Sequence, residues 1–242
     1  MTETYKIAGK VIEITSLYGD VHEYCREYRC DEAPDFSVVT AQADIDNERE
    51  TDKQSAEAEA RAAHVAADGY LEQLAVYRRI AEKMVDYDTF LFHGSCVAVD
   101  GVGYLFTAGS GTGKSTHTRL WRELLGERAV MVNDDKPLIK VGADGAVIYG
   151  TPYNGKHRLG SNIGVPLKAV CLLERAEDNS ICEVTASDAY PMLVQQMYRP
   201  REPMQLAMSM GLLDRLIKCV RLYRLGCNMD ISAAKTAYEG MK

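Results

Sequence analysis

Residues 104–116 read Tyr-Leu-Phe-Thr-Ala-Gly-Ser-Gly-Thr-Gly-Lys-Ser-Thr. An apolar run, Tyr104 to Thr107, passes directly into a glycine-rich loop that ends in Lys114-Ser115-Thr116. This order predicts a strand, a phosphate-binding loop of the Walker A type and a helix that starts at Lys114. The glycines let backbone N–H groups turn inward around phosphate oxygens, and the helix aims its positive end at the same anion. Gly109, Ser110, Gly111, Thr112, Gly113, Lys114, Ser115 and Thr116 are therefore the expected nucleotide-binding residues. Lys114 should reach the outer phosphates, and the Ser115 hydroxyl should meet the accompanying magnesium. Ala108 stands where the strict pattern has Gly, a small departure because Ala is small.

Upstream, Phe90 to Val99, the turn Asp100-Gly101-Val102-Gly103 and Tyr104 to Thr107 read as a hairpin whose second strand delivers the loop. A hairpin there is unusual, since a parallel βαβ unit is the commoner setting. Downstream, the helix should end near Leu125 before Gly126, and Ala129 to Val132 should be a buried strand closed by Asn133-Asp134-Asp135. Leu138 to Val141 and Ala146 to Tyr149 pair through Asp144-Gly145. A loop framed by Pro152 and Pro166 follows, then strands at Leu167 to Leu173 and Ile181 to Val184. Leu206, Met210, Leu213, Ile217 and Val220 form the stripe of a long helix, and Ala233 to Met241 suggests a terminal one. Near the start, residues 5–16 alternate as a strand and Asp35 to Thr40 as another. Residues 43–67 read as an exposed helix or linker. After Gly69, Tyr70, Leu74, Tyr77, Ala81 and Met84 give a helix one apolar face.

The chemistry-bearing side chains cluster around this frame. Asp134 and Asp135 follow a short apolar strand, where a carboxylate must sit to meet a magnesium held on Ser115. One would hold the metal, with Asp134 as the metal candidate beside Ser115, and the other would take a proton from an attacking hydroxyl. One Asp at such a position also serves as a turn cap. His93 lies on the upstream strand, in Leu91-Phe92-His93-Gly94-Ser95. The loop Asn154-Gly155-Lys156-His157-Arg158-Leu159-Gly160 carries cations, and Lys156 or Arg158 could neutralise charge on a transferring phosphoryl group. Arg119, Arg122 and Arg199 are weaker candidates for orienting a substrate.

Composition narrows the classes. With 242 residues, 46% apolar and 26% charged, the chain is globular rather than disordered. Its net charge of −7 leaves no basic stripe to bind a polyanion, so no nucleic-acid partner is expected. Seven scattered cysteines without a Cys-x-x-Cys pair read as reduced thiols. No stretch has the length to span a bilayer, and Met-Thr-Glu-Thr-Tyr-Lys lacks a signal region, so a cytoplasmic protein without a membrane partner is expected.

The segment from His93-Gly94-Ser95 through Thr107–Thr116 to Asn133-Asp134-Asp135 resembles the catalytic domain of HPr kinase/phosphorylase. It is also similar to the nucleotide site of phosphoenolpyruvate carboxykinases. The resemblance implies an α/β fold with a P-loop kinase core of that type and a mixed sheet, a small α/β N-terminal lobe over residues 1–88, and a kinase-like domain over 89–242 with C-terminal helices. It implies ATP and Mg²⁺, and the convergence of His93, Lys114, Ser115, Asp134 and Asp135 on the γ-phosphate; Arg158, read from the basic loop itself, is the further catalytic candidate. In HPr kinases one paired aspartate acts as base; in carboxykinases the matching His ligates a metal. The Arg-Gly-Leu-Gly signature of HPr kinases is absent, so the acceptor need not be HPr; a hydroxyl of a peptide, protein or small molecule is expected. A nucleotide sensor and a carboxykinase-like lyase are the alternatives, and HPr kinases themselves assemble as oligomers.

Overall fold

The computed structural model describes residues 1–58, 66–155 and 157–242. It is an α/β protein that divides into two compact units, Met1–Lys83 and Met84–Lys242.

In the first unit, β1 (Thr2–Ile7) and β2 (Lys10–Thr15) pair antiparallel, and β3 (Phe36–Val39) lies parallel to β2. The segment read as one strand over 5–16 is thus a hairpin. Ala8 and Gly9, both at positive φ (50° and 76°), make its two-residue turn, the geometry that matches strand twist. Helices α1 (Asp20–Tyr24), α2 (Gln42–Ala58) and α3 (Asp68–Met84) complete the unit. Over the described residues the polar stretch after Ala43 is therefore helical, while 59–65 lie outside them. On α3 the expected Tyr77, Ala81 and Met84 are buried, but the buried face is wider and shifted at its start: Tyr70 is 54% exposed, and Leu71, Glu72, Val76 and Ile80 are buried as well. The reason is Glu72: its carboxylate accepts from Leu17 N (2.7 Å), Tyr18 N (2.8 Å) and the Thr40 hydroxyl (2.6 Å). A buried acid on the inward face disguises the stripe from any reading of hydrophobicity.

The second unit is built on a nine-stranded mixed sheet. Its strands are β4 (Thr89–Leu91), β5 (Ser95–Val99), β6 (Val102–Thr107), β7 (Ala129–Asn133), β8 (Leu138–Val141), β9 (Ala146–Tyr149), β10 (Gly164–Arg175), β11 (Ser180–Glu183) and β12 (Arg221–Cys227). The main path runs β4-β8-β9-β10-β6-β5-β7, with β12 on β10 and β11 on β12. Strands β6, β10 and β12 are mutually parallel neighbours; the other pairs are antiparallel. Pro166 lies within β10, at the register with Val147 of β9, so the loop after Pro152 ends earlier than expected.

Side-chain alternation sends the central strands into two cores. Leu105, Val170 and Leu172 join one core, which holds Leu193 of α5 (Ala186–Gln196) and Leu213 and Leu216 of α6 (Pro203–Cys219). Phe106, Cys171 and Leu173 join the other, with Trp121 of α4 (Lys114–Leu125) and Ala234, Ala237 and Met241 of α7 (Ile231–Met241). Burial on both faces is why these strands read as continuous apolar runs. Strand β12 also feeds both cores, Leu222 one and Tyr223 and Leu225 the other, but Arg221 and Arg224 interrupt its sequence, so it gives no such run. The expected C-terminal helices therefore enclose a strand. Val220 ends the α6 stripe as an extended residue (φ −122°, ψ 154°).

All seven cysteines are free, with Cys25, Cys96 and Cys171 buried. Among the described residues no helix is long and apolar enough to cross a membrane.

Candidate active site

The β5–β6 hairpin turns at Asp100 and Gly101, both at positive φ (51° and 81°), and β6 ends at Thr107, directly before the glycine loop. In that loop Gly111 and Gly113 have φ of 73° and 121°, values that L side chains rarely adopt. The loop closes with Thr112 N–H donating to Gly109 O (3.4 Å) and His117 N–H to Gly113 O (2.9 Å). Helix α4 then starts at Lys114 and stops at Gly126 (φ 57°).

A cleft of about 460 Å³ opens over this loop. It is lined by Ser110, Gly111, Gly113, Lys114, Ser115 and Thr116 from the loop and helix, with His93, Asp134, Asp135, Gly155 and His157 around them. Four separate chain segments thus converge on one cavity. The Lys114 ammonium folds onto the loop, donating to Ala108 O at 3.0 Å and Gly109 O at 3.4 Å. Burial pushes its pKa down, against the opposing pull of Asp135 and Asp134.

The two aspartates sit in different surroundings because the backbone turns between them. Asn133 is fully buried at the end of β7, and its side-chain oxygen accepts from Asp135 N (2.9 Å) and Lys136 N (2.8 Å). Its amide donates in turn to the Thr151 hydroxyl (3.0 Å). This fixes the turn that carries both acids. Asp134 is buried, and its Oδ1 accepts from the Ser95 hydroxyl at 2.7 Å, with Thr118 Oγ1 another 2.8 Å from Ser95. Asp135 is more open. Its Oδ1 lies 3.3 Å from His93 Nε2 and its Oδ2 lies 4.0 Å from Lys136 Nζ. Burial raises the Asp135 pKa, but the His93 hydrogen bond and the Lys136 and Lys114 charges outweigh it and hold the carboxyl below its usual value.

His93 is not on a strand, as the sequence suggested, but in the connection between β4 and β5. Its N–H donates to Gln196 O (2.8 Å), and its carbonyl accepts from the Thr107 hydroxyl (3.0 Å). The neighbouring Gly94 N–H donates to Asp135 O (3.0 Å). A Cβ on Gly94 would meet Leu105 Cδ1 at 2.7 Å and Phe106 O at 3.0 Å, so only glycine brings the His93 segment this close to the loop strand. Gly155, at φ 77°, approaches from the other side, with space for a Cβ only 3.4 Å from Asp135 Cβ.

The basic loop contributes differently from expectation. His157 lines the cleft, whereas Arg158 is exposed, at φ 49°, outside the described lining. Lys156 lies outside the described residues. Arg119, exposed, pairs with Glu123 (2.7 Å), and Arg122 and Arg199 also fall outside the lining. Two residues that the sequence reading did not select are placed at the site. One is His157, whose signal was its position beside Lys156. The other is Arg175 at the end of β10, which does not line the cleft itself but whose Nη2 donates to the carbonyl of the lining residue Gly111 at 2.6 Å; no local sequence signal marks it.

For a metal, the cleft offers the Ser115 hydroxyl and the Asp134 carboxylate, both hard oxygen donors. Among the described residues no three His, Cys, Asp or Glu side chains form a metal-holding group. One carboxylate, a hydroxyl and ligand oxygens suit magnesium, which keeps several waters, better than zinc or a fully caged calcium.

No protein-family model matches the chain, and no curated protein is significantly similar to it. Among solved structures, the HPr(Ser) kinase/phosphatase from Coxiella burnetii is similar at 13% identity and a TM-score of 0.28. The likeness covers 53% of this chain and 97% of that one.

Proposed function

We propose that the second unit is a P-loop kinase core of the HPr kinase type, which transfers the γ-phosphate of Mg-ATP to a hydroxyl group. The observation that carries this reading is the convergence of Lys114, Ser115, Asp134, Asp135 and His93 on one cleft above the glycine loop. Each residue type matches one requirement of phosphoryl transfer, and little covalent chemistry is asked of the protein beyond positioning and charge.

In this reading the loop N–H groups and Lys114 hold the β- and γ-phosphates, Lys114 leaving its loop carbonyls to do so. Ser115 and Asp134 would hold magnesium, which supplies charge neutralisation on the phosphate oxygens. Asp134 suits that role because Ser95 occupies one of its oxygens and orients the other. Asp135 is the base. The acceptor oxygen forms its bond to γ-phosphorus as the bond to the β-phosphate oxygen breaks, ADP leaves, and the hydroxyl proton passes to Asp135. His93, at hydrogen-bond reach of Asp135, fixes its carboxylate and stabilises the charged form. A depressed carboxyl is a weak base, which fits a loose transition state in which the acceptor proton becomes acidic only late. His157 stands on the acceptor side of the cleft. The acceptor is a peptide, protein or small molecule bearing a hydroxyl.

The test is Mg²⁺-dependent transfer from γ-labelled ATP to components of a cell extract, comparing the native chain with Lys114→Ala and Asp135→Asn. Label transferred by the native chain alone supports the kinase. ATP bound tightly with no transfer by any of the three would assign a nucleotide sensor instead.

A further inference from the structure

Helix α6 is apolar on two sides, and only one of them is covered by the fold. Leu212, Leu213 and Leu216 are buried in the core on their side of the sheet. A surface helix so placed carries charged and polar residues on its opposite face. In α6 no charged residue stands between Glu202 and Asp214. The outward stripe is Met204, Ala207, Met208 and Gly211, at the i, i+3, i+4, i+7 spacing of one helix face. Met204 is 67% and Met208 40% exposed, and Ala207 and Gly211 are exposed too. The stripe runs about 10 Å along the helix.

Gly211 is an independent observation. Glycine is a poor helix former, and inside a helix it has a packing reason where a neighbour leaves no room for a side chain. Here a Cβ would meet nothing within 4 Å, so nothing among the described residues calls for the missing side chain. Close approach by another polypeptide would.

The charge around the stripe has one sign. Arg199, in the connection before α6, and Lys218, two turns beyond Gly211, are both exposed. The acids that bound the uncharged run are engaged: Glu202 accepts from Gln205 N (2.7 Å), and Asp214 accepts from the Tyr190 hydroxyl. Two copies packed stripe to stripe about a twofold axis would set the Arg199 end of one against the Lys218 end of the other, which like charge disfavours. An apolar segment flanked by acidic residues fits instead. A convex helix face gives a small molecule no enclosure, whereas methionines adapt to the surface of a polypeptide.

Backbone contacts join this face to the cleft. In the connection that leads into α6, Met197 bridges to Phe92, Tyr198 N–H donates to Leu91 O (3.0 Å), and His93 N–H donates to Gln196 O (2.8 Å). A chain that lies on α6 and passes Arg199 therefore arrives at His93, beside Asp135. We infer that the outward face of α6 docks the acceptor, and that the acceptor is a polypeptide with an apolar segment flanked by acidic residues. This rests on the phosphotransferase reading above and deepens it. The docked segment is distinct from the hydroxyl that enters the cleft, so it sets affinity for the acceptor and leaves nucleotide binding alone.

The experiment follows label from γ-labelled Mg-ATP into cell extract divided by dialysis into retained macromolecules and diffusible small molecules. The full native chain is compared with Gly211→Gln and Met208→Glu. Gly211→Gln puts a better helix former where there is room for it, so its urea midpoint should be at or above the native one, with native ATP affinity by calorimetry. Label should go to a retained polypeptide. At dilute extract both variants should transfer at least about tenfold less than native, and concentrated extract should restore the rate, as for a raised KM. Met208→Lys should lose less than Met208→Glu, because an acidic partner tolerates a cation. Native-like transfer by Gly211→Gln and Met208→Glu overturns the docking face, as does label found only among diffusible molecules; either result leaves the kinase standing. If Met208→Glu also loses ATP binding, it is misfolded and Gly211→Gln decides. A native dimer in sedimentation that Met208→Glu dissociates would make the stripe a self-association face and overturn the proposal. ATP bound by the native chain with no label in either fraction removes the phosphotransferase reading and this one with it.

Discussion

Glu72 in the first unit and Asp135 in the second are carboxylates with opposite accounts of their lone pairs. Glu72 is fully buried and accepts from two backbone N–H groups and a hydroxyl. Its capacity is spent on holding Leu17, Tyr18 and Thr40 against α3. Asp135 is partly open, with His93 at 3.3 Å and Lys136 only at 4.0 Å, and the rest of its capacity faces a cleft. A carboxylate saturated by the fold stabilises; one left part-satisfied at a cavity is available for chemistry, and the stability it forgoes has to come from elsewhere. Here it comes from Asn133, whose buried side chain fixes the turn whatever Asp135 does.

The largest expected effects come from exchanging the two defects. Asp135→Asn should lower phosphoryl transfer by roughly 10²–10⁴-fold while changing the urea midpoint little. Glu72→Gln should do the reverse, costing about 2–3 kcal/mol in urea unfolding, because its amide puts a donor against donors. Equal stability losses in the two variants would erase the distinction between them.

A second effect is read along pH. Burial pushes the His117 pKa from its ordinary 6.5 down to about 4. The unfolded chain therefore takes up that proton first as pH falls. Stability is intact above about pH 6.5 and declines by on the order of 3 kcal/mol towards pH 4, flattening below it. Urea midpoints measured from pH 7 to 4.5 should follow this slope in the native chain, and His117→Gln, which keeps an acceptor for Trp121, should remove it. A variant with the native slope would move the acid-sensitive group elsewhere.

The smallest effect sharpens the edge of the site. Arg119→Ala deletes an exposed pair with Glu123 and should change stability by no more than about 0.5 kcal/mol, with transfer unaltered. Lost transfer in that variant would mean that the working surface extends along α4, beyond the described cleft.

How far the residues announced this depends on how local the determinants are. The loop from Ala108 to Thr116, the β8–β9 pair and the aspartate turn are written in glycines, turn residues and short apolar runs, and they stand where the sequence places them; the hairpin before the loop forms too, but its first strand is only Ser95 to Val99, since Thr89 to Leu91 pair with β8 instead. Strand β12 left no such mark because Arg221 and Arg224 break its apolar run into Leu222-Tyr223 and Leu225. On α3 the stripe through Tyr77, Ala81 and Met84 was legible, while the part through Leu71, Val76 and Ile80 was disguised by Glu72, whose partners lie more than thirty residues away along the chain. Arg175 was silent for the same reason: what gives it meaning is a carbonyl at Gly111, brought near by the pairing of β6 with β10. His93 was found by its neighbours, although the strand assigned to it is a connection held by Gln196 and Thr107.

The pairing of β12 with β10 also sets an order of events during synthesis. Ala169 to Arg175 find their parallel partner only in Arg221 to Cys227, so a ribosome has made the glycine loop, both aspartates and most of the sheet before that edge can be closed. Until then β10 offers an unpaired, apolar strand edge, the kind of template that draws in other chains. Nascent chains halted within α6 should therefore be the aggregation-prone species, and a chaperone that shields this edge would act before β12 and α7 have been made.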